Sequence, residues 1–154
     1  MIAGIDFSTR AVDIVLLDED SDAATWHRFE LTGNDAFDRA RYVRQAMPYA
    51  LSEFWDDVVA IGIEQPRGNF GVTHMMRIQG AVLACIYLKK LVQPWNPASW
   101  RKTVGLPGNA SKLEVAALVD TLRPGGRPLW PQDACDAYCI ALATRMQIQM
   151  GAAA

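Results

Sequence analysis

The first third of the chain alternates short apolar runs with polar turns, a pattern typical of β-strands. Ile2–Phe7 is apolar except for one aspartate, and a second apolar run, Val12–Leu17, follows the polar residues 8–10. These two runs predict a hairpin. The aromatic, alternating stretch Ala24–Leu31, which follows the acidic residues 18–22, predicts a third strand. We therefore expect the chain to open with a three-stranded meander.

The remainder alternates helical and strand patterns. Apolar residues between Phe37 and Phe54 recur at helical spacing, with Pro48 as a source of a kink. Val58–Ile63 is a nearly unbroken apolar run that ends at Glu64, as expected for a strand covered on both faces. The other predicted elements are a helix over 73–90, a strand over 91–95, a short helix after Pro97, and helices over 111–122 and 131–150. This order predicts an α/β protein, in which a mixed sheet carries helices on both faces.

The length of 154 residues fits one domain, predicted over 1–150 with 151–154 as a tail. No apolar run approaches the roughly 20 residues of a membrane-spanning helix, and the N-terminus lacks the features of a secretion signal. We expect a cytoplasmic protein with no membrane partner. Cys85, Cys135 and Cys139 are an odd number of cysteines without CxxC spacing, and we expect them to be reduced.

Charge is distributed unevenly along the chain. Residues 1–77 hold seven Lys and Arg against thirteen Asp and Glu, a net −6, and residues 78–154 hold eight against four, a net +4. The basic half suits either a phosphate-facing surface or ordinary solvated positions, and charge alone favours neither. Trp95, Trp100 and Trp130 likewise suit either stacking on bases or packing in the core.

Four carboxylates have reasons to meet. Asp6 and Glu64 each end a buried strand, and parallel neighbouring strands would open their carboxyl ends at one edge of the sheet. Asp133 and Asp136 share one face of the last predicted helix, among small apolar residues. Each acid taken alone has a purely structural explanation: an aspartate such as Asp133 in the first turn of a helix interacts favourably with the helix dipole, and a glutamate such as Glu64 at a strand end can reach solvent. Together they would repel one another without cations, and hard oxygen ligands suit Mg²⁺ or Mn²⁺. Two such ions about 4 Å apart hydrolyse phosphodiesters.

Five segments in this order resemble one family: GIDFSTR, AIGIEQPRG, RIQGAVLACIY, WRKTVGLPGNASKLEV and DACDAYCIAL. They resemble the RuvC-type Holliday junction resolvases of the RNase H-like (retroviral integrase) superfamily, over nearly the whole chain. The resemblance implies an RNase H-like five-stranded mixed sheet whose first three strands are antiparallel, with helices on both faces. It also implies a homodimer and two Mg²⁺ or Mn²⁺ ions in each active site.

The same resemblance implies roles for individual residues. The metal ligands and catalytic acids would be Asp6, Glu64, Asp133 and Asp136, and Lys112 would be a catalytic cation near the scissile phosphate. The family often has an aromatic residue soon after the IEQ glutamine, whereas Pro66 and Arg67 follow here and the nearest aromatic is Phe70. The residues expected to contact DNA are Arg67, Phe70, Arg101, Lys102 and Lys112.

The activity implied by the resemblance is metal-dependent endonuclease action that resolves four-way DNA junctions by symmetric phosphodiester hydrolysis. Two alternatives stay open: a RuvC-like nuclease acting on flaps or RNA, and a non-catalytic module that binds branched DNA. An actin-like ATPase is suggested by GIDFST alone. It is excluded by length, because that fold needs two such domains to enclose a nucleotide.

Overall fold

The computed structural model describes residues 1–52, 54–67, 72–86, 90–123 and 130–152. Its strands are β1 (Ile2–Phe7), β2 (Ala11–Leu17), β3 (Ala24–Glu30), β4 (Ala60–Glu64) and β5 (Leu91–Trp95). They form one sheet in the order β3-β2-β1-β4-β5. β1, β2 and β3 pair antiparallel, whereas β4 runs parallel to both β1 and β5. The predicted meander and mixed sheet are confirmed.

Helices cover both faces of this sheet, as predicted. They are α1 (Ala36–Leu51), α2 (Val72–Cys85), α3 (Pro97–Thr103), α4 (Lys112–Leu122) and α5 (Gln132–Ala152), with a 3₁₀ turn at Trp55–Asp57. One buried cluster lies between the sheet and α1 and α2, and a second lies between the sheet and α3, α4 and α5. In the described ranges, no helix is both long enough and apolar enough to cross a membrane.

Local sequence signals explain where three helices begin. The side chain of Asp35 accepts hydrogen bonds from the first backbone N–H groups of α1, at 2.8 and 2.9 Å. Asn96 caps α3 in the same way, just before Pro97 at the first helical position. Ser111 and Glu114 form a reciprocal capping box at the start of α4.

The end of α2 differs from the prediction. The helix ends at Cys85 rather than at Lys90, and Lys90 lies beyond it, immediately before β5. The Lys90 ammonium donates instead to the backbone carbonyls of Trp55 and Val58. Lys90 was predicted to lie in the last turn of α2, but it binds carbonyls in and just after the 3₁₀ turn at Trp55–Asp57 instead.

The strand alternation decides which side chains face α5. Ile5 and Phe7 of β1 join the buried cluster under α1 and α2. Gly4 and Asp6 alternate with them and therefore face the opposite layer. In β4, Gly62 and Glu64 face that layer for the same reason. The two strand-end acids thus lie on the side of the sheet that α5 covers.

Two glycines let α5 approach the sheet closely. A Cβ at Gly4 would overlap the backbone carbonyl of Ala137 and would lie 2.8 Å from the Cβ of Ala141. A Cβ at Gly62 would overlap the hydroxyl of Thr144 and would lie 2.8 Å from a methyl group of Ile140. The backbone of α5 therefore rests on the backbones of β1 and β4, which fixes the height of the helix above the sheet.

Candidate active site

The predicted convergence of Asp6 and Glu64 follows from the strand register. β1 and β4 are parallel neighbours, and Ile5 pairs with Ile63. The next residues, Asp6 and Glu64, therefore leave the sheet side by side at its carboxyl edge. The first turns of α5 add Asp133 and Asp136 above the same edge, and the carboxylates of all three other acids act electrostatically on Asp6.

Asp6 carries the most perturbed carboxyl group of the four. Burial raises its pKa well above the usual range, and the carboxylates of Glu64, Asp136 and Asp133 raise it further. The backbone N–H of Phe7 acts in the opposite direction. In the described part of the chain, no basic side chain forms an ion pair with Asp6. Its charged form therefore lacks a protein counter-ion.

Glu64 is held by two side chains from neighbouring elements. The indole N–H of the fully buried Trp100 in α3 donates to Oε2 of Glu64 at 2.7 Å. The side-chain amide of Gln79 in α2 donates to the backbone carbonyl of Glu64 at 3.2 Å. Burial raises the pKa of Glu64, and the Trp100 hydrogen bond partly offsets that rise by stabilising the carboxylate.

The two acids of α5 have different surroundings. The side-chain amide of Gln132 donates to Oδ1 of Asp136 at 3.0 Å. The two residues are four positions apart and therefore lie on consecutive turns of α5. Burial raises the pKa of Asp136, whereas Gln132, Arg101 and Lys112 lower it. Asp133 is more exposed, and its Oδ2 lies 3.5 Å from Nη1 of Arg28 in β3.

Two of the predicted DNA-contacting cations lie beside the acids. Arg101 lowers the pKa values of both Glu64 and Asp136, and Lys112 lowers that of Asp136. The guanidinium of Arg101 stacks 4.5 Å from the ring centre of Trp100. Its Nε is buried and has no hydrogen-bond partner among the described residues. Arg101 is therefore a cation close to the acids, held against the ring of Trp100.

The other predicted contacts are less closely tied to the acids. Lys102 is exposed on α3, near the loop that contains Gly108, and Arg67 is exposed after β4. Phe70 lies outside the described residues. Trp100 packs in the core rather than on the surface, and Trp95 is buried with its indole N–H donating to Thr144 at 2.8 Å. Neither tryptophan presents a ring for stacking on a base.

Several residues at this site were missed by sequence reasoning. Asp13 carried a visible signal, because it is a charged residue in the middle of the apolar run AVDIVLL. Gln132 also carried one, because it stands four residues before Asp136 on a helix. Trp100 and Arg28 carried none, because their contacts join elements that are distant in sequence.

The donor set fits a hard divalent cation in its chemistry. Four carboxylates supply the oxygen ligands that Mg²⁺ and Mn²⁺ prefer, and Asp6 lacks a protein counter-ion. Among the described residues, no group of three or more His, Cys, Asp or Glu side chains stands in an arrangement that could hold a metal ion. The acids are thus electrostatic neighbours without forming a closed cage.

Two solved structures are similar to the chain over nearly its whole length. Thermus thermophilus RuvC matches with a TM-score of 0.77 and 22% sequence identity, covering 97% of this chain and 96% of that chain. T. thermophilus RuvC in complex with Holliday junction substrate matches with a TM-score of 0.79 and 20% identity, covering 97% and 95%. The chain has the RuvC fold.

The five-stranded mixed sheet, with its first three strands antiparallel and helices around it, matches the RuvC fold. At the level of sequence, no family model matches the chain and no curated protein matches it. The comparisons therefore assign no role to the individual acids.

Proposed function

We propose that this protein is a metal-dependent endonuclease that cleaves branched DNA, with a four-way junction as its preferred substrate. The observation that carries the proposal is the meeting of Asp6, Glu64, Asp133 and Asp136 at one sheet edge of a RuvC fold. One of the two similar structures is that of T. thermophilus RuvC in complex with Holliday junction substrate. Acids that can hold cations, beside Arg101 and Lys112, suit a phosphodiester better than they suit an uncharged ligand.

The four acids would hold Mg²⁺ or Mn²⁺, and we propose two ions in each site. Such ions activate water and stabilise the leaving oxygen when they are bound. Because no closed cage exists among the described acids, binding would draw the carboxylates together. The protein fixes the backbone positions from which they project: β1 and β4 carry Asp6 and Glu64, and α5 carries the other two.

The neighbouring cations would bind the phosphate. Arg101 lies close enough to Glu64 and Asp136 for its charge to lower the pKa values of both, and Lys112, at the start of α4, lowers that of Asp136. Positioned cations stabilise the negative charge that develops during phosphoryl transfer. Lys102 and Arg67, both exposed, are suited to contact the flanking backbone, where charge contributes affinity without sequence preference.

Symmetric cleavage of a four-way junction needs two active sites related by a two-fold axis, and we therefore propose a homodimer. The exposed residues Met76 and Leu83 lie seven positions apart on one face of α2, and Phe37 is exposed on the adjoining α1. This apolar surface supplies a candidate interface.

The test is cleavage of a labelled four-way junction beside matched duplex, flap and RNA–DNA hybrid substrates, with Mg²⁺ or Mn²⁺. We expect paired nicks in the junction and a loss of activity of at least about 10³-fold in Asp6→Asn, with junction binding retained. Asp56→Asn is the matched control, because Asp56 is an exposed aspartate in the 3₁₀ turn before β4, away from the site.

Each other outcome has a defined meaning. Preferential cleavage of flaps or hybrids would keep the metal-dependent chemistry and change the substrate. Tight junction binding without cleavage in either metal would favour the non-catalytic module. Full cleavage by Asp6→Asn would remove the carboxylate site from the mechanism.

A further inference from the structure

A charged row crosses the sheet beside the candidate site. In the strand register, Asp6 of β1 pairs with Asp13 of β2, and Asp13 pairs with Arg28 of β3. Directly opposed residues on neighbouring strands project from the same face, so all three side chains lie on the side that α5 covers. The row therefore connects the central acid of the site with the edge strand β3.

Asp13 is a buried charge that needs partners. It is 1% exposed, within an otherwise apolar strand. The indole N–H of Trp26 donates to its Oδ1 at 2.8 Å, and Nη1 of Arg28 donates to its Oδ2 at 2.8 Å. Burying a carboxylate is costly unless it is paired and hydrogen-bonded, so Asp13 and Arg28 are bound firmly to each other.

Arg28 is also held at a second point. Its Nε donates to Oε1 of Glu30 at 2.7 Å, on the same strand. A planar guanidinium fixed by two carboxylates has little freedom to turn. The cation is therefore a rigid part of the sheet surface.

The rigid guanidinium meets the helix that carries two of the acids. Nη1 of Arg28, the atom that binds Asp13, lies 3.5 Å from Oδ2 of Asp133. Among the described residues, no hydrogen bond or ion pair engages Oδ1 of Asp133. One carboxylate oxygen thus faces the arginine and the other stays available, an arrangement typical of residues that orient metal ligands from outside.

We propose that Arg28, fixed by Asp13, is a positioning residue that holds the carboxylate of Asp133 against the sheet, in the orientation used for divalent cation binding. The inference rests on the proposed function in one respect, namely that Asp133 is a metal ligand. Asp133 stands at the exposed start of α5, and without Arg28 its side chain would be free to turn into solvent.

The test uses the paired variant Asp13→Asn/Arg28→Gln. The new amide at position 13 still accepts from the Trp26 indole through its Oδ1, and its Nδ2 can donate to the side-chain oxygen of the new amide at position 28, so no buried charge is left unpaired. The net charge of the chain is also unchanged, because one positive and one negative group are removed together. Arg28→Gln alone is a poorer test, because it would leave Asp13 buried without its counter-ion.

The first readout is Mn²⁺ affinity, measured by calorimetry without DNA. We expect the paired variant to unfold at nearly the wild-type temperature and to bind Mn²⁺ about 10-fold more weakly. The second readout is kinetic: kcat for the junction should fall while KM stays near the wild-type value. Arg41→Gln is the matched control, because Arg41 forms an exposed ion pair with Asp38 at 3.1 Å, away from the site.

A mutant cycle tests the route through Asp133. In an Asp133→Asn background, the paired variant should cause no further loss of Mn²⁺ affinity. A further loss of about 10-fold in that background would overturn the inference, as would unchanged affinity in the paired variant alone. Tighter binding would also overturn it, because it would mean that Arg28 holds Asp133 away from the cation.

These outcomes separate the inference from the proposed function. Weaker Mn²⁺ binding in the paired variant, together with no junction cleavage by the wild type, would support the positioning role and overturn the proposed activity. Junction cleavage by the wild type, together with equal Mn²⁺ affinities of the wild type and the paired variant, would support the proposed activity and overturn the positioning role. A wild type that binds no Mn²⁺ would overturn both.

Discussion

Trp100 illustrates how a single buried residue orients a carboxylate of the candidate site. Its ring fills the core under α3 while its indole N–H holds Oε2 of Glu64. A tryptophan is well suited to this position, because it provides a large apolar body with one donor at its edge. The same ring supports the guanidinium of Arg101, so one side chain places both an acid and a cation.

Replacing this tryptophan by phenylalanine should separate packing from positioning. Trp100→Phe keeps an aromatic ring but removes the donor to Glu64, so the pKa of Glu64 should rise further and junction cleavage should fall about 10-fold. Trp95→Phe is the matched control, because Trp95 is also buried and donates to Thr144 rather than to an acid. Equal losses of activity in the two variants, measured at saturating Mg²⁺, would contradict the role of Trp100.

The pKa shifts of the acids predict a cost in stability. Burial raises the pKa values of Asp6, Glu64 and Asp136, so the folded protein retains protons that the unfolded chain loses near pH 4. These acids therefore lower the free energy of unfolding as pH rises above about 4. The cap carboxylates of Asp35 and Glu114 have lowered pKa values and act in the opposite sense at lower pH.

A comparison of two proteins isolates the contribution of the site. In EDTA, we expect Asp6→Asn to be more stable than the wild type by about 1 to 2 kcal/mol at pH 7, and by less at pH 4. Thermal unfolding across this range measures the difference. Adding Mg²⁺ should stabilise the wild type more than the variant, and a constant difference at all pH values would contradict the assignment.

At the scale of elements, the contact between α5 and the sheet sets the geometry of the site. Gly62→Ala would force the hydroxyl of Thr144 and the methyl of Ile140 away from β4, which lifts the helix. We expect a loss of about 2 to 3 kcal/mol in the free energy of unfolding, measured by urea denaturation, and a larger proportional loss of cleavage. Gly151→Ala is the control on the same helix, because its Cβ would meet no atom of the described chain within 4 Å.

The sequence predicts elements better than it predicts contacts between them. The apolar runs of β1 and β4 were enough to place Asp6 and Glu64 at strand ends, since both signals are local, whereas their shared edge depends on the parallel pairing of β1 with β4. The end of α2 was predicted wrongly, because Lys90 binds carbonyls of Trp55 and Val58, far earlier in the chain. The pairing of Asp13 with Arg28 depends on the register of β2 and β3, which no local pattern specifies.

At the scale of the whole molecule, the exposed face of α2 is the strongest feature without a partner in the described structure. Met76→Glu combined with Leu83→Glu places two charges on that face, and if the proposed homodimer forms there, we expect light scattering to show a shift from dimer to monomer. The two junction nicks should then become independent rather than paired. Val59→Glu, at another exposed apolar residue, should leave both the mass and the pairing of the nicks unchanged.

The close contact of α5 with Gly4 and Gly62 also limits how the sequence of this protein can change. Any larger residue at either position would shift the acids of α5 relative to the acids of β1 and β4. Substitutions there would therefore lower the cleavage rate before they prevented the protein from folding. New substrate preferences must therefore arise elsewhere, in the segment 65–67 and on the exposed faces of α3 and α4. A library for altered specificity should vary those surfaces and leave the two glycines untouched.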